Sequence, residues 1–171
     1  MKQFFSLITF VVITTSSFGQ ELPKTESIEA IKKLSFLVGN WHGSGWFKFN
    51  EVKDSLAITQ TITIIDLGVT FQMEMASELL LTQTQVKTTV HVTYDEKNKT
   101  YLTSATSMGS TSNGQAMILN DHTLQCNFVV NNGMEYRYIY SVVNNSETVM
   151  GEVTSDNGSS WKQIFGGTLG K

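Results

Sequence analysis

The chain has 171 residues, 40% of them hydrophobic and 16% charged, with a formal net charge of -3. That length suits one domain with a real core, and the charge offers nothing to a polyanion, which excludes nucleic acid as the expected partner. A single Pro and thirteen Gly, set among many Thr and Ser, point to β-structure and away from a helical bundle.

Residues 1–19 read as a secretory signal peptide. Lys2 precedes an apolar run from Phe4 to Ile13 broken only by Ser6 and Thr9, and the small residues Ser17 and Gly19 mark a cleavage point. The run is shorter than the ~20 apolar residues a spanning helix needs, so no membrane span is expected after cleavage. Residues 20–171 then form one exported domain, periplasmic or secreted. Cys126 is the only cysteine, which rules out an internal disulfide. Its same-parity neighbours Leu124, Phe128 and Val130 make it a core residue.

Thr25 is a plausible N-cap for a helix of about three turns, with Glu26 and Glu29 in its first turn and Ile28, Ile31 and Leu34 on one stripe. Gly39 is expected to end it at the C′ position. The rest of the chain alternates with a period of two. Expected strands run over 41–49, 56–66, 69–81, 86–94, 100–108, 115–119, 123–130, 134–143, 148–154 and 160–165. The segment from Gly109 to Gly114 is expected to be a polar loop with an Asn113-Gly114 hairpin signal. No connection is long or helical enough for a βαβ crossover. The expected fold is therefore all-β, an up-and-down antiparallel barrel of about ten strands with the N-terminal helix capping one end. Closure removes the sheet edges, and barrels of this size either pack solid or hold one small ligand.

Catalytic signatures are sparse. Gly43-Ser44-Gly45 lacks the spacing and context of a nucleophile elbow, and His42, His91 and His122 are scattered without metal-ligand spacing. No catalytic or metal-binding residue is assigned. Arg137 is the single arginine and lies within a strand whose other face carries Tyr136, Tyr138 and Tyr140. Directed inward, it would anchor an anion and would need Glu74, Glu152 or a ligand as partner. Directed outward, it sits beside Glu135 or stacks on a tryptophan. Met73 and Met75 suit an adaptable apolar lining, and Tyr136 and Tyr138 join them as candidate contacts. His91 becomes a contact only if its polar face lines the cavity. Trp41, Trp46 and Trp161 read first as core residues, with Trp46 also a candidate ligand contact.

The opening Leu34-x-x-Leu37-x-Gly39-x-Trp41-x-Gly43-x-Gly45 resembles the first motif of calycin-type small barrels, closest to nitrobindin-like (heme-binding-like) domains and a related uncharacterised family of bacterial calycin-like proteins. Tyr94-Asp95-Glu96-Lys97-Asn98-Lys99-Thr100-Tyr101 and Ser107-Met108-Gly109 are similar to that family's mid-chain Tyr-Asp-Pro turn and Asp-Ser-Met-Gly segment, with Glu96 and Thr106 in place of the usual Pro and Asp. The resemblance implies a ten-stranded lipocalin-like barrel with an N-terminal helix. Nitrobindin-like proteins hold heme through a histidine near the C-terminus. The tail from Trp161 to Lys171 has none, so heme is not carried over and no cofactor is expected.

The sequence thus leads to an exported, non-enzymatic barrel that binds a small apolar or amphipathic ligand. Two alternatives stand beside it: a solid-cored envelope interaction module, and a small hydrolase or isomerase using His91 or His42 with a nearby carboxylate.

Overall fold

A computed structural model describes residues 25–49, 51–130 and 133–171; the expected signal peptide, residues 1–19, lies outside the described residues. Helix α1 (Thr25–Lys32) and a 3-10 turn (Ser35–Leu37) lead into ten strands. These are β1 (Gly39–Phe49), β2 (Val52–Ile65), β3 (Thr70–Leu79), β4 (Thr84–Asp95), β5 (Thr100–Ser107), β6 (Ser110–Asn120), β7 (Thr123–Val129), β8 (Glu135–Val143), β9 (Ser146–Thr154) and β10 (Lys162–Gly170). Every strand pairs antiparallel with the next, and β10 pairs back onto β1, which closes the barrel.

The strands form where they do because apolar and polar residues alternate. In β2, Leu56, Ile58, Gln60 and Ile62 are buried while Ala57, Thr59 and Thr61 between them are exposed. The seam between β1 and β10 needs glycine. A Cβ on Gly43 would stand 2.1 Å from the Thr168 carbonyl oxygen, and one on Gly45 would stand 2.5 Å from that of Gly166. No side chain fits there, so the two glycines let the first and last strands meet.

Three expectations need correction. The helix stops at Lys32, and Leu34 and Leu37 are buried by the 3-10 turn that follows, while Gly39 opens β1 with φ +149°. The segment 109–114 is not a loop: β6 begins at Ser110, and the reversal is the tight turn at Met108 and Gly109, both with positive φ. The last strand runs on to Gly170, because Gly166 and Gly167 are seam residues and not breakers.

The alternation of turns gives the barrel two different ends. At one, α1 lies across the opening and is held there by the β4–β5 turn. The Ser27 hydroxyl donates to Glu96 at 2.7 Å, the Tyr101 hydroxyl donates to the Ala30 carbonyl at 2.9 Å, and Lys99 pairs with Glu26. Beneath the helix sits the densest packing: Ile31, Leu34, Leu37, Trp41, Phe71, Val92 and Leu124 have no exposed surface. The Trp41 indole donates to the Leu37 carbonyl at 2.8 Å, which satisfies its one polar atom within that core. The opposite end, formed by the β1–β2, β3–β4, β5–β6, β7–β8 and β9–β10 turns, has no such plug among the described residues.

Candidate functional site

The barrel interior is filled at the helix end and hollow toward the other. The hollow has a volume of about 470 Å³, within the range of pockets that take a single small molecule. Its walls come from the inward parity of the strands: Phe47, Leu56, Met75, Leu79, Val86, Val90, Ala105, Phe128 and Phe165 supply apolar surface. Ser77, Thr88, Ser107, Ser110 and Ser112 add hydroxyls near the mouth, and Tyr136, Tyr138 and Tyr140 descend one wall along β8. Among the described residues no charged side chain lines this space.

Tyr138 is the most constrained of the three tyrosines. Its ring meets Phe128 and Phe165 edge-on, at centroid distances of 6.3 and 6.4 Å. It lies against Gly151 on β9, where a Cβ would come within 2.8 Å of the Tyr138 Cε1 atom. Glycine is therefore what leaves room for the ring. Burial pushes the Tyr138 phenol up to about 12 and the Tyr140 phenol well above its ordinary value. Both are neutral hydroxyls near pH 7. Among the described residues none of the three tyrosine hydroxyls has a hydrogen-bond partner, nor has Ser77 or Ser112, whereas Thr88 donates to Ser107 at 3.0 Å. Unsatisfied hydroxyls around an apolar chamber are the contacts a neutral ligand would complete.

Below the chamber lies a second polar element. Gln60 on β2 and Glu147 on β9 are buried, at 2% and 0% exposure. The Gln60 amide nitrogen donates to both Glu147 carboxyl oxygens, at 3.0 and 2.9 Å. The Gln60 Oε1 atom has no partner among the described residues. Burial raises the Glu147 carboxyl to about 7, opposed by the Gln60 hydrogen bond and by the charge of Lys171.

The structure divides the residues singled out from sequence. Met75, Tyr136 and Tyr138 line the chamber. Met73 shares their inward face but is packed in the core at 1% exposure. Arg137, His91 and Trp46 are on the outer wall, because each has the parity opposite to its buried neighbours. Arg137 pairs with Glu152 at 2.5 Å and lies 4.1 Å from the Trp161 ring centre, so it is no anchor for a molecule inside the barrel. His91 contacts Gln72 across the outer surface at 3.0 Å. Trp46 lies across Gly166, with the Lys53 ammonium 4.3 Å from its ring centre, and neither it nor Trp161 is core. His42 and His122 are exposed, which leaves the histidine-based enzyme reading without a histidine in the chamber. Cys126 is buried, and burial pushes its thiol up to about 12, as suits an unreactive core residue.

Several interior residues escaped the sequence. Ser77 continues the parity of Met73 and Met75, a signal present but unused. Gln60 interrupts the apolar face of Leu56, Ile58 and Ile62, and a polar residue at such a position marks a buried partner elsewhere. Glu147 read as part of a turn, since nothing before Thr148 signals that β9 begins at Ser146.

A second depression, about 550 Å³, lies on the outer wall where Gly166 and Gly167 leave the surface bare beside Trp46, Ile139 and Met150. It is shallow and open to solvent. The chamber is the better enclosed of the two.

No protein-family model matches the chain, and no curated protein matches it. Among solved structures, the fold is similar to that of Rv2717c from M. tuberculosis, with a TM-score of 0.60 at 9% identity, covering 83% of this chain and 96% of the other. At that identity the likeness establishes a small closed barrel and nothing about ligand.

Proposed function

We propose that this chain is a binding protein for a small, uncharged, largely apolar molecule held in the barrel chamber. The observation that carries the reading is the 470 Å³ apolar hollow with three tyrosine hydroxyls that have no partner among the described residues. The absence of any charged side chain among the described residues of its lining argues against an anion or cation as the occupant, since a buried charge without a partner costs several kcal/mol. A compound with an apolar body and one or two hydroxyl or carbonyl groups matches the walls. The resemblance of the Leu34–Gly45 stretch to calycin-type barrels supports the same role, and the leader-like residues 1–19 support one outside the cytoplasm.

The test is to extract the purified protein with organic solvent for mass spectrometry, and to titrate it with an apolar fluorescent probe. A105W, which fills the chamber from one wall, should lower probe affinity at least tenfold while circular dichroism stays that of a barrel. Equal affinity in wild type and A105W, with nothing extracted, would refute the reading.

A further inference from the structure

The open end of the barrel carries an arrangement that neither the core nor the chamber requires. Phe49, Val52, Leu80, Leu81, Met108 and Val129 are each more than half exposed, and all six stand at the turns around the mouth. Met108 is the clearest case. It occupies a tight turn with φ +50°, followed by Gly109 with φ +79°, a conformation that favours Asn or Gly. The chain places there a large apolar side chain that is 80% exposed.

One step back from the tips the chemistry changes. Trp46 and Trp161 lie on the outer wall near this end, with cations over both rings: Lys53 at 4.3 Å and Arg137 at 4.1 Å. Lys48 and Lys162 both pair with Glu51 in the β1–β2 turn, and Arg137 pairs with Glu152. Apolar tips backed by tryptophan and long cationic side chains reproduce, in order, the layers of a lipid interface. With Asp54, Glu78, Glu135 and Asp156 at the same end, carboxylates offset Lys48, Lys53, Lys87, Arg137 and Lys162, and the face has little net charge.

We propose that this rim docks on a zwitterionic phospholipid surface, with the turn tips entering the interfacial region and the chamber mouth facing the lipid. A second copy of the chain fits less well. A stable pair needs roughly 800 Å² of well-packed surface from each partner, and separate tips around an open mouth leave the centre of such a contact empty. Docking at the mouth would give an apolar ligand a path that avoids water, but the surface stands without that reading, and vesicle binding and ligand uptake are separate measurements.

The experiment labels M108C at the mouth, and separately V143C at the helix end, with a polarity-sensitive fluorophore. Cys126 is buried and stays unlabelled. On phosphatidylcholine vesicles the label at 108 should shift to the blue and be quenched by spin-labelled lipid, while the label at 143 should not respond. Because the comparison is between two positions on one chain, the apolar N-terminal run cannot produce it. L80D/L81D in the M108C background should weaken the response at least tenfold with thermal stability unchanged. Raising salt from about 0.1 to 0.5 M should leave it within twofold, since little charge is involved. No response at 108, equal responses at both positions, or loss of binding in salt would overturn the proposal. A response that grows with protein concentration without vesicles would also overturn it, in favour of self-association.

Discussion

The pair Gln60–Glu147 makes stability depend on pH in a direction opposite to that of most carboxylates. Removing water from Glu147 raises its carboxyl from the ordinary 4.5 to about 7. Between those values the folded chain holds a proton that the unfolded chain has released. Stability from this group is therefore complete below pH 4.5 and is lost as pH rises through 7. The interval from 4.5 to 7 corresponds to ~3 kcal/mol. The contacts as they stand are those of an acceptor, with one Gln60 nitrogen donating to both Glu147 oxygens and Gln60 Oε1 left without a partner among the described residues; a protonated Glu147 would satisfy that oxygen by donating to it after a rotation of the amide. E147Q removes the titration and keeps the shape. Urea unfolding of both proteins from pH 5 to pH 8 should show wild type losing about 2–3 kcal/mol relative to E147Q. That is a relative fall in Tm of roughly 5–10 °C for a chain of this size. Taking the difference cancels the carboxylates whose ordinary behaviour pulls the other way, such as Asp156, lowered to about 2 by Ser160 and Thr154. Parallel stability curves for the two proteins across this range would refute the reasoning.

Other outcomes follow from the same packing. W41A removes a fully buried ring and its bond to Leu37, and urea unfolding should show a loss of about 3–5 kcal/mol; W41F should recover all but ~1 kcal/mol of it. G151V drives a side chain into Tyr138 and Phe165, costing about 1–3 kcal/mol in the same assay and weakening probe binding by moving the Tyr138 ring. R137A breaks an ion pair and a ring contact on the outer wall. It should cost ~1 kcal/mol and leave probe affinity unchanged, the reverse of what an internal anchor would show.

The barrel was legible because period-two alternation is a direct imprint of one wet and one dry face. Leu56 to Ile64 and Val86 to Tyr94 declare their inner faces without help. The site was legible only where an apolar residue marked the parity, as at Met75 and between the β8 tyrosines. It failed at Arg137 for a definite reason. With aromatic rings at 136, 138 and 140 and Ile139 opposite, β8 has apolar residues on both faces, and its polarity does not decide which is inner. Pairing decides it: Arg137 stands opposite Glu152, and Tyr138 opposite Gly151, contacts between strands that no single strand records. Glycine misled in the same way at 166 and 167, since a residue without a side chain reads as a break unless the neighbouring strand is known. The Gln60–Glu147 pair joins positions 87 apart in sequence, and each half alone looks like an ordinary exception.

The β1–β10 seam also fixes the order in which the fold can be completed. Nine of the ten strand pairings join neighbours in sequence and close short loops, which cost little entropy. The tenth brings Phe47 opposite Phe165 and His42 opposite Gly170, with nearly the whole described chain between them. Until that pairing forms, β1 and β10 are both free edges able to template aggregation. During synthesis the open state persists until β10 has emerged. A chain shortened by half of β10 would keep nine good strands and still be unable to close, so its failure would appear as aggregation more than as lost secondary structure. Five of the twelve paired positions in the seam are glycine, so backbone hydrogen bonds carry more of its hold than side chains do.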